Sequence, residues 1–235
     1  MTRRLTVTWP DPRPFEGRGG APIRLLAVSD DVDRALEYEV NREAIGKVDS
    51  IIGCGDLEPG YLGFLADAFG APLAYVRGNH DVGGHWERTA TAAPDPLRSG
   101  LPVDISGITV VPFEWPGLDR ERVERDETRA WLDVFRAERK LARRGLSRRS
   151  RPLMVVSHAP PRGVGDVAAD RYHLGYAGYR WFLDRRRPPV WLHGHTTMAS
   201  VADWREIWGR STVANVTGAI LVELVPPEEP QPRPM

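Results

Sequence analysis

The stretch from residue 191 to 197 reads WLHGHTT and places two imidazoles and two hydroxyls directly after an apolar run. His193 and His195 flank a glycine, and Thr196 and Thr197 follow. Imidazole nitrogens bind transition metals, and they also exchange protons near neutral pH. The pattern makes this strand end a candidate for metal binding, with a hydrogen-bonded structural role as the alternative for each histidine taken singly.

Other apolar runs also end in residues that can bind a cation. Together with His195, these residues are Asp30, Asp56, Asn79 and His158. In open α/β sheets, ligand sites lie beyond the carboxyl ends of the strands, so we expect the five side chains to converge. A set of carboxylate, amide and imidazole ligands without a thiolate favours Mn²⁺, iron or Zn²⁺ over a soft metal or Ca²⁺.

The elements that carry these residues alternate between strand and helix in the first third of the chain. Apolar runs at 23–31, 48–56 and 71–81 are predicted strands, and the segments 34–47 and 59–70 have helical spacing. Such alternation indicates parallel strands joined by right-handed crossovers.

The second half of the chain has a different pattern. It predicts a hairpin within 102–115, a long amphipathic helix over 119–144 and another helix near 176–186. Apolar runs at 152–161 and 188–196 are predicted strands that end in polar loops. The sum is an α/β protein, interpreted as one domain over residues 1–225 with a Pro-rich disordered tail at 226–235.

Composition narrows the function classes. The 235 residues contain 32 Lys plus Arg and 32 Asp plus Glu, so bulk charge gives no preference for nucleic acid or a membrane. A single cysteine, Cys54, excludes an internal disulfide and fits a reducing compartment. Neither a signal-peptide pattern nor a membrane-length apolar run is present. These features predict a cytoplasmic protein.

Five short motifs resemble, in chain order, the motif series of the calcineurin-like metallophosphoesterases. They read SDDVD from residue 29, GCGD from 53, GNHD from 78, SHAPP from 157 and HGHTT from 193. One such motif is a weak signal, but five in order, each after a predicted strand, are specific. The resemblance covers about residues 23–225 and is closest to the small bacterial phosphodiesterase-like members. It implies a four-layer α/β/β/α sandwich of two mixed β-sheets flanked by helices, with two metals at its rim.

The resemblance also implies an activity, the metal-dependent hydrolysis of phosphate esters by activated water. A small phosphodiester is the expected substrate, and Mn²⁺ is the expected ion, with iron or Zn²⁺ as alternatives. His80 matches the family residue that protonates the leaving oxygen or steadies the phosphate. The implied metal ligands are Asp30 at the first site and Asp56, Asn79, His158 and His195 at the second, where Asp56 bridges the two ions.

Two positions depart from the family pattern. Val32 and Thr197 stand where the family has histidines, and both missing imidazoles serve the first metal. Asp31, Asp33 and His193 are the neighbouring candidates to replace them. Their alternatives are a solvated turn, the N-cap of the following helix, which we favour for Asp33, and a strand-end side chain that faces away.

A third departure concerns the catalytic histidine. Pro59 replaces an acid that orients this histidine in many members, which leaves Glu58 or Asp81 as candidates to orient His80. Farther along the chain, the polar residues of the loop after His158 are interpreted as loop hydrogen-bonding residues rather than pocket residues. They are Asp166, Asp170 and His173.

Two alternative functions remain open at this point. The losses at Val32 and Thr197 fit a catalytically weakened pseudo-phosphoesterase that acts as a ligand- or protein-binding scaffold. The intact second set of ligands favours the enzyme, because a scaffold has no physical need for it. Basic runs at 142–151 and 185–187 leave nucleic acid as an alternative partner, which the zero net charge disfavours.

Overall fold

The computed structural model describes residues 2–82, 86, 90–118, 125–145, 151–167, 170–197 and 203–227. Its strands are β1 (Arg3–Thr8), β2 (Ile23–Ser29), β3 (Ser50–Gly53), β4 (Leu73–Tyr75), β5 (Val103–Ile105), β6 (Ile108–Phe113), β7 (Met154–Ser157), β8 (Val190–His193), β9 (Arg205–Trp208), β10 (Ser211–Asn215) and β11 (Gly218–Val225). Its α-helices are α1 (Glu39–Ile45), α2 (Pro59–Phe69), α3 (Glu127–Arg143) and α4 (Ala177–Arg186).

The first sheet has the spatial order β1-β11-β2-β3-β4. Strands β2, β3 and β4 run parallel, as the alternation of strand and helix predicted. Strand β11 pairs antiparallel with β2 and parallel with β1, so the two ends of the chain meet in one sheet. The sequence analysis did not predict β1. This edge strand begins with two arginines and is only six residues long, so its alternating pattern is a weak signal, although Leu5 is buried.

The second sheet has the order β5-β6-β7-β8-β10-β9. Strands β6, β7, β8 and β10 are parallel, and an antiparallel strand closes each edge. The predicted hairpin is present as β5–β6. Its turn residues, Ser106 and Gly107, both have positive φ, as a two-residue turn with the twist of its strands requires.

The two sheets pack face to face, and helices cover their outer faces. Between the sheets, residues such as Ala27 and Ile52 share one buried cluster with Val156 and Leu192. Helices α1 and α2 cover the first sheet through one apolar cluster. Helices α3 and α4 cover the second sheet through another. This arrangement confirms the predicted four-layer α/β/β/α sandwich. Among the described residues, no helix is long and apolar enough to cross a bilayer.

The helix predicted over 34–47 was wrong in its bounds. A short 3₁₀ turn, Arg34–Glu37, is followed by Tyr38 in extended conformation, and only then does α1 begin. A continuous helix would place Leu36 and Val40 on one face, but the break separates them: Leu36 is buried, whereas Val40 is exposed.

The helix predicted over 119–144 starts later than expected. The Asp126 carboxylate caps it by accepting a backbone N–H of the first turn, so α3 begins at Glu127. Leu141 is buried, whereas Phe135 is about half exposed. Residues 119–124, and 228–235 of the predicted tail, lie outside the described residues.

Candidate metal centre

All five predicted metal ligands lie at carboxyl ends of strands, and the packing of the two sheets brings these ends to one rim. Asp30, Asp56 and Asn79 follow β2, β3 and β4, while His158 and His195 follow β7 and β8. Donor atoms of Asp30, Asp56 and His158 all lie within 4.8 Å of one another. A cavity of about 1140 Å³ opens above them, and its lining includes Asp30, Asp56, Asn79, His80 and His195.

His158 is the centre of the group of residues predicted to bind the second metal. Its Nε2 lies 2.9 Å from Asn79 Oδ1 and 3.2 Å from Asp56 Oδ2. Carboxylate, amide and imidazole donor atoms therefore face a common point, and the His158 ring itself is fully buried. Such a set suits a borderline divalent cation.

The two imidazoles are held so that each keeps one nitrogen for a ligand. His158 Nδ1–H donates to the Cys54 carbonyl at 2.8 Å, which leaves Nε2 toward Asp56. His195 Nε2–H donates to the Tyr172 carbonyl at 2.8 Å, which leaves Nδ1 available. Metal-binding histidines characteristically donate their other N–H in this way, because the bond sets the tautomer and the ring orientation.

Asp30 is occupied by protein donors. Its two carboxylate oxygens accept the His195 backbone N–H at 3.0 and 3.1 Å, and its Oδ2 accepts the Ser29 hydroxyl at 2.6 Å. The Thr217 hydroxyl approaches the same oxygen at 3.4 Å. Asp30 thus ties the loop after β8 to the end of β2, and its contacts hold His195 beside the centre.

The backbone is strained at this rim. Asp30, Asp56 and His195 adopt φ values of 58°, 57° and 67°, a region that residues other than glycine rarely enter. Such strain persists where surrounding contacts over-determine the conformation, and it clusters at functional sites. Gly78 shows how tight the packing is, because a Cβ there would meet Asp56 Oδ1 at 2.1 Å.

Burial and charge shift the titration of these groups. For His158, burial by itself lowers the pKa, but the carboxylates of Asp56 and Asp30 outweigh burial and raise it to about 9. For Asp56, burial by itself raises the pKa, but His158 outweighs it and the net shift is downward. Burial, followed by the charge of His158, lowers the pKa of His195 to about 3, so that its ring is neutral. Burial raises the pKa of Asp30.

Comparison with known proteins agrees with this geometry. A family model described as calcineurin-like phosphoesterase matches residues 29–198, which include all five residues above. The chain belongs to the calcineurin-like phosphoesterase family. No curated protein matches the chain.

Two solved structures illustrate the shared fold. The protein TT1561 of Thermus thermophilus is 16% identical, and the match covers 84% of this chain and 90% of that one with a TM-score of 0.55. The phosphopantetheinyl hydrolase of Mycobacterium tuberculosis is 14% identical, and the match covers 92% of this chain and 100% of that one with a TM-score of 0.50. The calcineurin-like fold predicted from the five motifs is confirmed.

The two departures from the calcineurin-like pattern lie in different places. Thr197 lines the cavity, whereas Val32 is 44% exposed and does not line it. Among the described residues, none of the three proposed substitutes lines the cavity either. Asp31 is exposed, Asp33 accepts the Ala35 N–H as an N-cap, and His193 is buried beside Gly165.

His80 lies at the mouth of the cavity. Its side chain is 81% exposed, and its Nε2 is 4.0 Å from Asp56 Oδ2. Asp81, proposed above to orient it, instead accepts the backbone N–H groups of Asp56 and Gly78, both at 2.7 Å. Asp81 therefore connects the loops after β3 and β4, and burial raises its pKa to about 6.

The cavity has walls that the sequence analysis did not assign to it. The Trp115 ring lies 4.7 Å from that of His195 and 5.7 Å from that of Tyr176, over which Arg125 stacks at 4.0 Å. Arg171 and Tyr172 also line the cavity. These residues follow no motif, so their position depends on how the loops after β6 and β7 fold over the rim.

The loop after His158 matches its prediction in part. Asp166 accepts the Gly175 N–H at 2.8 Å, and Asp170 accepts the Tyr172 N–H at 2.9 Å, as expected of loop residues. His173 also bonds within the loop, through Asp170 at 2.5 Å, but in addition it lines the cavity.

Proposed function

We propose that this protein is a phosphodiesterase that requires a divalent cation. Its family hydrolyses phosphate esters with divalent metals. The observation that carries the proposal is the pair of imidazoles whose other nitrogens are bonded to backbone carbonyls, next to the Asp56 carboxylate. This arrangement presents one nitrogen of His158 and one of His195 to a cation, and a bound cation would displace the proton that the carboxylates keep on His158 Nε2 at neutral pH.

The cavity supports a diester rather than a monoester. Its volume of about 1140 Å³ exceeds what a phosphate with one small substituent needs. The lining combines aromatic and cationic side chains, with Trp115 near His195 and with Arg125 and Arg171 in the same cavity. A phosphodiester, which carries a group on each side of its phosphorus, fits this shape.

The residues divide the chemistry as follows. Asp56, Asn79, His158 and His195 hold the cation, for which we propose Mn²⁺ because the donors are mixed oxygen and nitrogen. A bound cation lowers the pKa of water and offsets the negative charge that develops on the phosphate. His80 protonates the leaving oxygen at the cavity mouth.

We further propose that one ion, not two, is held tightly. The first site lacks both imidazoles at Val32 and Thr197, and the Asp30 oxygens already accept three protein donors. Each of these bonds would have to be shared or broken for Asp30 to bind a cation well.

The test is metal analysis of the purified protein combined with turnover of bis(4-nitrophenyl) phosphate and of 4-nitrophenyl phosphate. We expect about one equivalent of divalent metal, turnover that Mn²⁺ stimulates and a chelator removes, and a preference for the diester. Metal-free protein without turnover in added Mn²⁺ would favour the scaffold alternative.

Restoring one imidazole tests the single-ion proposal. Because Thr197 lines the same cavity as Asp30, Thr197→His is expected to add a second, weaker equivalent of Mn²⁺ and to raise diester turnover about tenfold. Val32→His is the matched control, and we expect it to leave one equivalent because position 32 does not line the cavity. Two equivalents in the wild-type protein would contradict the proposal.

A further inference from the structure

A second cleft lies at the opposite end of the strands that carry the metal ligands. Arg151, Arg187 and Arg210 line it, and they precede β7, β8 and β10 respectively. These strands are parallel neighbours, so their amino ends lie side by side at one edge of the sheet. Because β7 and β8 are each four residues long, the cleft and the metal centre are separated by at least about 13 Å.

The lining of the cleft is strongly basic. Its volume is about 1120 Å³, and it is lined by six arginines but by only two carboxylates, those of Asp11 and Asp184. The arginines are Arg13, Arg151, Arg185, Arg186, Arg187 and Arg210.

Three of these arginines form ion pairs with nearby carboxylates. Arg13 pairs with Asp11 at 2.6 Å, and Arg185 and Arg186 both bond to Glu138. Asp184 is bonded to Arg180 and to the Trp208 indole N–H. Within the described ranges, no carboxylate lies within 4.0 Å of the other three guanidinium groups, those of Arg151, Arg187 and Arg210.

Helix capping explains only part of this basic cluster. Arg187 caps the carboxyl end of α4, where a positive charge is stabilised by the helix dipole. Its φ of 50° is nevertheless one that normally selects glycine at such a cap. Arg151 and Arg210 lie in loops that precede strands, so no helix dipole stabilises their positive charge.

We infer that this cleft binds an oligophosphate chain, either inorganic or part of a nucleotide. Guanidinium groups match phosphate oxygens in pairs of parallel hydrogen bonds, and several phosphates in a row would satisfy several of them together. Asp11 interacts electrostatically with Arg151 as well as with Arg13, so the positive charge without a nearby carboxylate is that of Arg187 and Arg210. The three arginines line one concave cleft rather than an extended surface, which favours a small ligand over a nucleic-acid strand.

Recognition in this cleft rests on the phosphates rather than on an attached base. Trp181 is the aromatic residue of the lining, but its ring is already covered. Arg185 lies 4.9 Å from the ring centroid, and Trp131 and Phe135 pack against the ring as well. The remaining walls include Pro152 and Pro189, which offer no hydrogen-bond donor of their own.

The experiment is calorimetric titration at low ionic strength, with a chelator present, using inorganic triphosphate, ATP and a thymidine oligonucleotide as probes. We expect one saturable site for triphosphate that weakens as salt is raised. The double substitution Arg187→Ala/Arg210→Ala is expected to weaken binding at least about tenfold, because it removes charge-assisted hydrogen bonds. Equal affinity for triphosphate and ATP assigns the site to the phosphate chain, and tighter binding of ATP assigns it to a nucleotide.

Two controls locate the site. Arg139→Ala/Arg143→Ala removes the same charge from the exposed face of α3 and is expected to leave binding unchanged. Asp56→Asn disables the metal centre and is expected to leave triphosphate binding intact, while Arg187→Ala/Arg210→Ala retains diester turnover. The inference is overturned if triphosphate does not bind saturably, if both arginine pairs weaken binding equally, or if the oligonucleotide binds more tightly than triphosphate.

Discussion

Asp56→Asn is expected to reduce diester turnover by at least about a thousandfold, equivalent to about 4 kcal/mol of lost transition-state stabilisation. The carboxylate lies 3.2 Å from His158 Nε2 and faces the same point as Asn79. An amide of the same shape keeps the hydrogen bond from the His80 backbone N–H, but it removes the negative charge that attracts a cation. The measurement is kcat with saturating Mn²⁺, together with metal content after dialysis.

A neighbouring carboxylate provides the control. Asp31→Asn removes the same charge from an exposed residue next to Asp30, and we expect turnover within about twofold of the wild-type value. If Asp31→Asn lost as much metal and activity as Asp56→Asn, Asp31 would be a ligand, and the proposed set would be wrong. Circular dichroism of both variants separates loss of metal from loss of fold.

The sequence predicted which side chains meet at the rim because the signal was local. Each motif follows an apolar run, and parallel strands with short loops place their carboxyl ends at one rim. The packing of β7 and β8 against the first sheet then brings His158 to Asp56, although about a hundred residues separate them along the chain. Motif order was sufficient to predict this contact, since the order reflects the resemblance to a known family.

Edge strand β1 and the break before α1 were not predictable from local pattern. Strand β1 is stabilised by pairing with β11, which lies more than two hundred residues away, so its own six residues carry little signal. At Tyr38, helical spacing continues through a residue whose backbone is extended, because Asp33 caps a separate 3₁₀ turn instead of one long helix. In both cases, tertiary contacts override local propensity.

The roles of the residues around the ligands also depend on tertiary contacts. Nothing in the GNHD motif distinguishes an aspartate that orients His80 from one that braces two loops, and Asp81 does the latter. Likewise, Asp30 has the sequence position of a first-site ligand, but its oxygens accept donors from Ser29, His195 and Thr217. Two of these donors come from the loops after β8 and β10, which the strand order brings to Asp30.

His80→Ala is expected to lower kcat for the diester about a hundredfold while metal affinity stays unchanged. General acid catalysis contributes about 10²–10⁴-fold, and we place His80 at the lower end because its ring is 81% exposed. Metal affinity is retained because alanine keeps the backbone N–H that donates to Asp56 Oδ1 at 2.8 Å, whereas the exposed His80 ring lies 4.0 Å from Asp56 Oδ2, beyond hydrogen-bond distance.

Comparing substrates with different leaving groups distinguishes a role of His80 in acid catalysis from a structural role. A 4-nitrophenolate leaves readily without a proton, whereas an alkoxide requires one, so the loss in His80→Ala should be larger for a diester with an alkyl leaving group. His173→Ala removes another imidazole from the same cavity and is expected to affect both substrates equally. Equal losses for both leaving groups in His80→Ala would remove the acid role and leave His80 as a residue that positions the phosphate.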